Sequence, residues 1–218
     1  MPTTYDVDIQ DAPLYTLREA ARYVGLPEAT VRYWLGRHRT TSSPLIHVAG
    51  QLSFLNLVEL HVLKALRESH AVNVRSVRAA LEYAEKTLHI DRLLLHEGLL
   101  TAAGDLFIEH YGTLVSLSKH GQIAMKALLA IYLKRVERDE MRLPVRLYPL
   151  VPGAGDSKPI VLDPRVAFGK PVIQGHGIAT WVIAHRLDAG ETIDAIADDY
   201  EITPELVRSA AIYSGSMP

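Results

Sequence analysis

The stretch from Thr16 to Trp34, Thr16-Leu17-Arg18-Glu19-Ala20-Ala21-Arg22-Tyr23-Val24-Gly25-Leu26-Pro27-Glu28-Ala29-Thr30-Val31-Arg32-Tyr33-Trp34, reads as two short helices and the turn between them. Thr16 with Glu19 three positions later is the reciprocal capping pair that opens a helix over 17–24. Gly25 ends that helix, because the residue after a helix commonly takes a positive φ. Pro27 sits where a second helix begins, and that helix is expected to run to about Arg37. Ala20 and Ala21 are small enough to let the helices touch, and Leu26, Val31 and Trp34 point inward. The second helix then presents Glu28, Ala29, Thr30, Arg32, Tyr33 and Arg37. Short polar groups on the first turn with cations behind them suit a helix whose N-terminal end enters a DNA major groove.

Working outward, Thr40-Thr41-Ser42-Ser43-Pro44 is turn chemistry. Leu45–Val48, Gly50 and Leu52–Phe54 read as a small hairpin. A helix is expected from about Asn56 to Glu68. Another should follow Asn73, a good N-cap, with Val72 and Val77 placed for a hydrophobic staple.

In this order the elements resemble the opening of MerR-family regulators, carried by 16–21, Val24-Gly25-Leu26 and Thr30-Val31-Arg32-Tyr33-Trp34. The resemblance implies a winged helix-turn-helix over 14–88 that binds duplex DNA. It implies contacts from Thr30, Arg32 and Tyr33, a wing over His47–Phe54, and the two helices after it. Thr16, Arg18, Glu28, Ala29, Arg37, Arg39, His47 and Gln51 complete the expected DNA-facing set. The acid that usually follows the family's aromatic pair is Leu35 here.

Charge is segregated. The whole chain has a net charge of −2, but residues 14–80 hold nine Lys/Arg against four Glu, or +5. Residues 151–218 hold five Lys/Arg against nine acids, or −4, and 81–150 balance at nine each. A basic beginning suits phosphate neutralisation, and an acidic end points to a different partner.

The middle block, 89–150, is expected to be α+β and to serve dimerisation. Leu93–Leu95, Leu99–Thr101, Leu106–Ile108 and Leu114–Leu117 read as short strands, with Ala103-Gly104-Asp105 as a turn. A long helix is expected from about Gly121 to Glu140. Its residues before Lys134 are apolar on most faces, which calls for burial or a homodimer interface.

Pro149, Pro152, Gly153, Gly155, Ser157 and Pro159 mark a linker to the last block, 151–218. Ile160–Leu162 and Val172–Gln174 read as strands, and Trp181–Ala189, Ile193–Tyr200 and Pro204–Tyr213 as helices. Thr203-Pro204 supplies an N-cap and an N1 proline. Asp163-Pro164, then Gly169-Lys170-Pro171-Val172-Ile173-Gln174-Gly175, then Ala189–Ile193 and Asp199–Pro204, resemble the DUF433 family. That family usually has an arginine where Gly177 stands.

The last two helices also have helix-turn-helix spacing, with Ala197 at the tight contact, Val207 inward, and Glu201 where a turn glycine would be. From Arg186 to Tyr213, however, seven acids (188, 191, 194, 198, 199, 201, 205) face two arginines. Such a surface repels phosphate, so this element is expected to bind protein, with Asp198, Asp199 and Glu201 as the partner-binding candidates. An N-terminal helix-turn-helix joined to a DUF433 end resembles VapB-type antitoxins. That resemblance implies a PIN-like ribonuclease toxin as partner and repression of the shared operon. The alternative is a stand-alone MerR-like transcriptional regulator whose middle block senses a small ligand.

Catalysis is not expected. There is no cysteine, and therefore no disulfide, thiolate metal site or thiol nucleophile. The histidines, among them His61, His70, His96 and His110, lack metal-ligand spacing. Gly175-His176-Gly177-Ile178-Ala179-Thr180 imitates a dinucleotide fingerprint, but too little chain follows for a doubly wound sheet, so it reads as a glycine turn. Gly169-Lys170 lacks both the leading glycine and the Ser/Thr of a phosphate loop. No cofactor is expected. The acidic start, with Asp6, Asp8 and Asp11, is no secretory signal, and the longest apolar run, 123–133, is too short to span a membrane. A cytoplasmic, mainly α protein with small β elements and no membrane partner is the resulting expectation.

Overall fold

The computed structural model describes residues 9–36, 44–46, 48, 50–68, 74–96, 99 and 119–215, and divides into two units, 1–144 and 145–218. The fold is mainly helical with two small two-stranded sheets.

In the first unit, α1 is Leu17–Val24, α2 Glu28–Trp34, α3 Phe54–Glu68, α4 Val74–Leu88 and α5 Lys119–Leu133. The organising helix is α3. Leu57, Val58, Leu60, Val62, Leu63 and Leu66 have at most 2 % of their surface exposed, so the helix is buried on nearly every side, as a helix apolar all round must be. It packs against α1, α5 and the turn at Leu93–Leu95.

Helix α3 starts at Phe54, two residues before the expected Asn56. Ser53 is its N-cap: the Asn56 N–H donates to Ser53 Oγ (3.2 Å) and the Ser53 N–H donates back to Asn56 Oδ1 (3.0 Å). Phe54 is therefore helical, and the strand expected over 52–54 does not form. Leu52 pairs instead with Tyr15 in an antiparallel bridge, with reciprocal bonds of 2.9 Å. Both side chains are buried. Leu45 and Ile46 lie in a bend, and the Leu45 N–H donates to the Trp34 carbonyl at 2.7 Å. No wing hairpin is present among the described residues; His47 and Ala49 lie outside them. The staple residue Val72 and the N-cap Asn73 also lie outside the described residues.

A polar network ties the base of α3 to the chain around it. Asn56 Nδ2 donates to Glu59 Oε2 (3.0 Å), and Arg92 reaches both Glu59 oxygens through Nε and Nη2 (3.0 Å each). Ser53 Oγ and Arg92 Nη1 both donate to Asp11 Oδ1 (2.9 and 3.4 Å). Burial opposes the charge on Arg92, but bonding and attraction from Glu59 and Asp11 outweigh it and raise its pKa.

Leu93–Leu95 is not a strand but a 3-10 turn, closed by the Leu95 N–H on the Arg92 carbonyl (2.8 Å). In a strand the three leucines would point to alternate faces, whereas in this turn Leu93 and Leu94 are buried together. The strands expected over 106–108 and 114–117, and the turn over 103–105, lie outside the described residues. So do Thr101 and Leu100 of the strand expected over 99–101; Leu99 itself lies in a helical turn.

The long helix stops where its apolar pattern stops, short of the expected Glu140. It ends at Leu133, and β1, Val136–Arg138, and β2, Pro144–Leu147, follow. Asp139 makes the turn between β1 and β2, its Oδ1 accepting from the N–H groups of Met141 and Leu143 (2.9 Å each). A side chain that satisfies its own following backbone favours such a turn over a helix in this stretch.

In the second unit, β3 (Ile160–Val161) pairs antiparallel with β4 (Val172–Ile173), Ile160 opposite Ile173. Against them pack α6 (Thr180–Asp188), α7 (Ile193–Tyr200) and α8 (Pro204–Ser214). Ile160, Ile173, Ile183, Ile196, Val207 and Ala210 form the fully enclosed centre of this core. Gly175 (φ 82°) and Gly177 (φ 69°) make the turn before α6, as the glycine-turn reading expected.

Candidate nucleic-acid interface

The N-terminal pair is built as its sequence dictates. Thr16 Oγ1 accepts from the Glu19 N–H (3.2 Å), and Glu19 Oε2 accepts from both the Thr16 N–H (2.9 Å) and Thr16 Oγ1 (2.8 Å). Gly25 takes φ 66°, and the Leu26 N–H closes the end of α1 on the Ala21 carbonyl (2.9 Å). Ala20, Ala21, Leu26, Val31 and Trp34 are all buried, whereas Tyr33 is 40 % exposed. Helix α2 stops at Trp34 rather than near Arg37, because Leu35 turns inward and Gly36 takes φ 65°.

On the outer face, Arg18, Ala29, Arg32 and Tyr33 are exposed and Glu28 and Thr30 half-buried. Glu28 sits between two cations, with Arg32 Nη2 at 2.6 Å from Oε1 and Arg18 Nε at 3.7 Å from Oε2. Arg67, from α3, donates through Nη1 to Thr30 Oγ1 at 3.0 Å. Lys64 is close behind the turn: a Cβ on Gly25 would lie 3.0 Å from its Nζ. The fold thus brings Arg18, Glu28, Thr30 and Arg32 together and adds Lys64 and Arg67, which the sequence reading counted as charge but did not place. Their signal was the three-residue spacing on one helix, which puts two cations on one face. Thr16 is exposed, but its hydroxyl is committed to capping. Gln51 is exposed, while Arg37, Arg39 and His47 lie outside the described residues.

The geometry recurs in the second unit at one constant offset along the chain. Thr192 caps α7 as Thr16 caps α1, and Ala197 takes the place of Ala21. Glu201 stands in for Gly25 at φ 52°, and the Ile202 N–H closes on the Ala197 carbonyl at 3.0 Å as Leu26 does on Ala21. Val207 is buried like Val31. The surface differs. Arg186 binds both Glu191 and Asp199 and lies over the Tyr200 ring, 5.1 Å from its centre. Its hydrogen bonds to these acids raise its pKa and lower that of Glu191. Of the partner-binding candidates, Asp199 is therefore engaged within the unit and Glu201 serves as a helix cap, while all three, including Asp198, are exposed.

The protein named "Putative antitoxin VapB45" from Mycobacterium tuberculosis is 31 % identical over 92 % of this chain and 93 % of its own length. This chain belongs to the VapB45 family. Residues 160–214 match the family described as "Protein of unknown function (DUF433)", which covers β3 through α8. A crystal structure titled for Rv2018 from Mycobacterium tuberculosis is 28 % identical, with a TM-score of 0.70 over 93 % of this chain and 98 % of that one. The family's likeness therefore runs through both units, not the DUF433 region alone.

Elsewhere in the first unit, a cavity of about 490 Å³ is bounded by Leu45, Ile46, Leu81, Ile90, Leu93 and the Glu59–Arg92 pair. Among the described residues, no group of three or more His, Asp or Glu could hold a metal, and no helix is long and apolar enough to cross a membrane.

Proposed function

We propose that this chain is the antitoxin of a type II toxin–antitoxin pair, neutralising a PIN-like ribonuclease toxin and binding the operator DNA of its own operon. The observation that carries the reading is the 31 % identity, over nearly the whole of both chains, to a protein named as an antitoxin. DNA binding is assigned to the α1–α2 pair as a MerR-like helix-turn-helix, in keeping with the exposed Arg18, Arg32 and Tyr33 and the +5 charge of 14–80. Phosphate contacts of this kind dominate affinity for DNA. The toxin is assigned to the acidic 151–218 domain, around Asp198, Asp199 and Glu201. The chain is taken to act as a cytoplasmic homodimer joined through 89–150. In support, α5 leaves Ile123 67 % and Ile131 50 % exposed although its other face is buried. Two-fold symmetry would match an inverted operator.

The rival reading, a stand-alone regulator answering to a small ligand, is favoured by the 490 Å³ cavity, a size that suits a small molecule. Coexpression with the product of the adjacent gene separates the two. The antitoxin reading expects copurification of a ribonuclease whose activity the chain suppresses. It also expects Arg32→Ala to weaken operator-region DNA binding by about 1–3 kcal/mol if Arg32 touches a base. DNA binding unchanged in both Arg32→Ala and Tyr33→Ala would show that α2 is not the recognition helix.

A further inference from the structure

Glu28 is the first residue of α2, the helix assigned above to the DNA groove. A carboxylate there is favourable for the helix, whose N-terminal N–H groups attract negative charge. It is unfavourable for a surface that must approach phosphates. The surrounding geometry resolves this conflict. Glu28 Oε1 accepts from Arg32 Nη2 at 2.6 Å, one turn along the same helix, and Oε2 lies 3.7 Å from Arg18 Nε, on the neighbouring helix. The carboxylate thus bridges two of the outward cations, hydrogen-bonded to Arg32 and ion-paired with Arg18. Arg32 keeps 49 % and Arg18 88 % of its side chain exposed, so both are free to swing away. Another cation on this face, Arg67, is bound to Thr30.

We infer that Glu28 is a specificity gate: it occupies Arg18 and Arg32 in the free chain, so that a bare phosphate backbone must displace a carboxylate before those cations can engage. Phosphate and carboxylate compete for a guanidinium through the same charge-assisted, bidentate geometry, so non-specific duplex gains little from the exchange. A cognate site repays it, because a guanidinium released from Glu28 can take the paired acceptors of a guanine edge. The gate lowers affinity for random sequence more than for the operator. This inference rests on the DNA-binding reading of the α1–α2 face and deepens it.

The test is binding of the full-length chain to a labelled random-sequence duplex across a salt series, for wild type, Glu28→Gln, Arg18→Ala/Arg32→Ala and the triple variant. Glutamine keeps the length and the helical position of Glu28 while removing its charge. One additional phosphate contact steepens the salt dependence by about 0.9 and tightens binding about eightfold at about 0.1 M salt. Glu28→Gln is expected to show at least that gain, and the gain is expected to shrink to less than about twofold in the Arg18→Ala/Arg32→Ala background. An equal gain in both backgrounds would overturn the gate, because Glu28 would then act only through its bulk charge. No gain in Glu28→Gln would overturn it as well. A wild-type chain that binds no duplex even at low salt would overturn the DNA-binding reading itself, a result distinct from either. Circular dichroism on each variant separates lost binding from lost fold.

Discussion

His61 is expected to make the first unit acid-sensitive, by an amount the structure fixes. Its side chain is enclosed between α3 and α5, 2 % exposed, with Nε2 3.1 Å from the Tyr132 carbonyl oxygen. A carbonyl only accepts, so Nε2 carries the proton and Nδ1 is bare in the neutral ring. Burial lowers the pKa to about 3, with the cations of Lys64 and Arg135 pushing the same way and the Tyr132 bond opposing them. In the unfolded chain the value is about 6.5. The folded pKa is the lower of the two, so the unfolded chain takes up the proton first as pH falls. Stability is therefore complete above about 6.5 and is lost progressively toward about 3. Between about pH 7 and 5 this uptake amounts to about 2 kcal/mol. The assay is urea unfolding at a series of pH values, followed by the fluorescence of Trp34, which is buried, in a Trp181→Phe background. His61→Gln serves as the reference: its amide can still donate to Tyr132 but does not titrate. The wild type should lose about 2 kcal/mol more than His61→Gln over that range. Parallel pH profiles would refute the claim that a neutral, enclosed His61 joins α3 to α5.

The two related turns make opposite predictions. Gly25→Ala forces a side chain into φ 66° with its Cβ 3.0 Å from Lys64 Nζ; the lysine end can move, but the backbone strain remains, and a loss of about 1–2 kcal/mol is expected in the same fluorescence assay. Glu201→Gly removes strain at φ 52° and should stabilise the second unit by about 0.5–1 kcal/mol, seen as a higher urea midpoint by circular dichroism. A lower midpoint there would mean that the Glu201 side chain, rather than its backbone, holds the end of α7.

How much was legible depended on how local the cause was. The capping pair Thr16–Glu19, the stop at Gly25 and the Thr203-Pro204 start are interactions within four residues, and the structure has each where the sequence places it. The inward Trp34 and outward Tyr33 follow from helical periodicity in the same way. The second pair was legible too, from Ala197 and Val207, although Glu201 hides its turn behind a residue that seldom takes a positive φ. The candidate site was only half visible. Glu28 meets Arg32 four positions away, which spacing can suggest. The Arg18 and Arg67 contacts join separate elements, the latter across 37 positions.

The sequence by itself determined the positions of most helices, the caps Thr16 and Thr203, the chain's charge segregation and its DUF433 region, because each depends on periodicity, composition or a bond to a near neighbour. Tertiary structure alone decided that Leu52 pairs with Tyr15, that α3 begins at Phe54 behind the Ser53 cap, and that Glu59 holds Arg92 at the base of that helix. Those choices were settled by competition: each residue had a plausible local partner, and burying apolar surface around α3 while satisfying the buried polar groups was worth more than the local alternative.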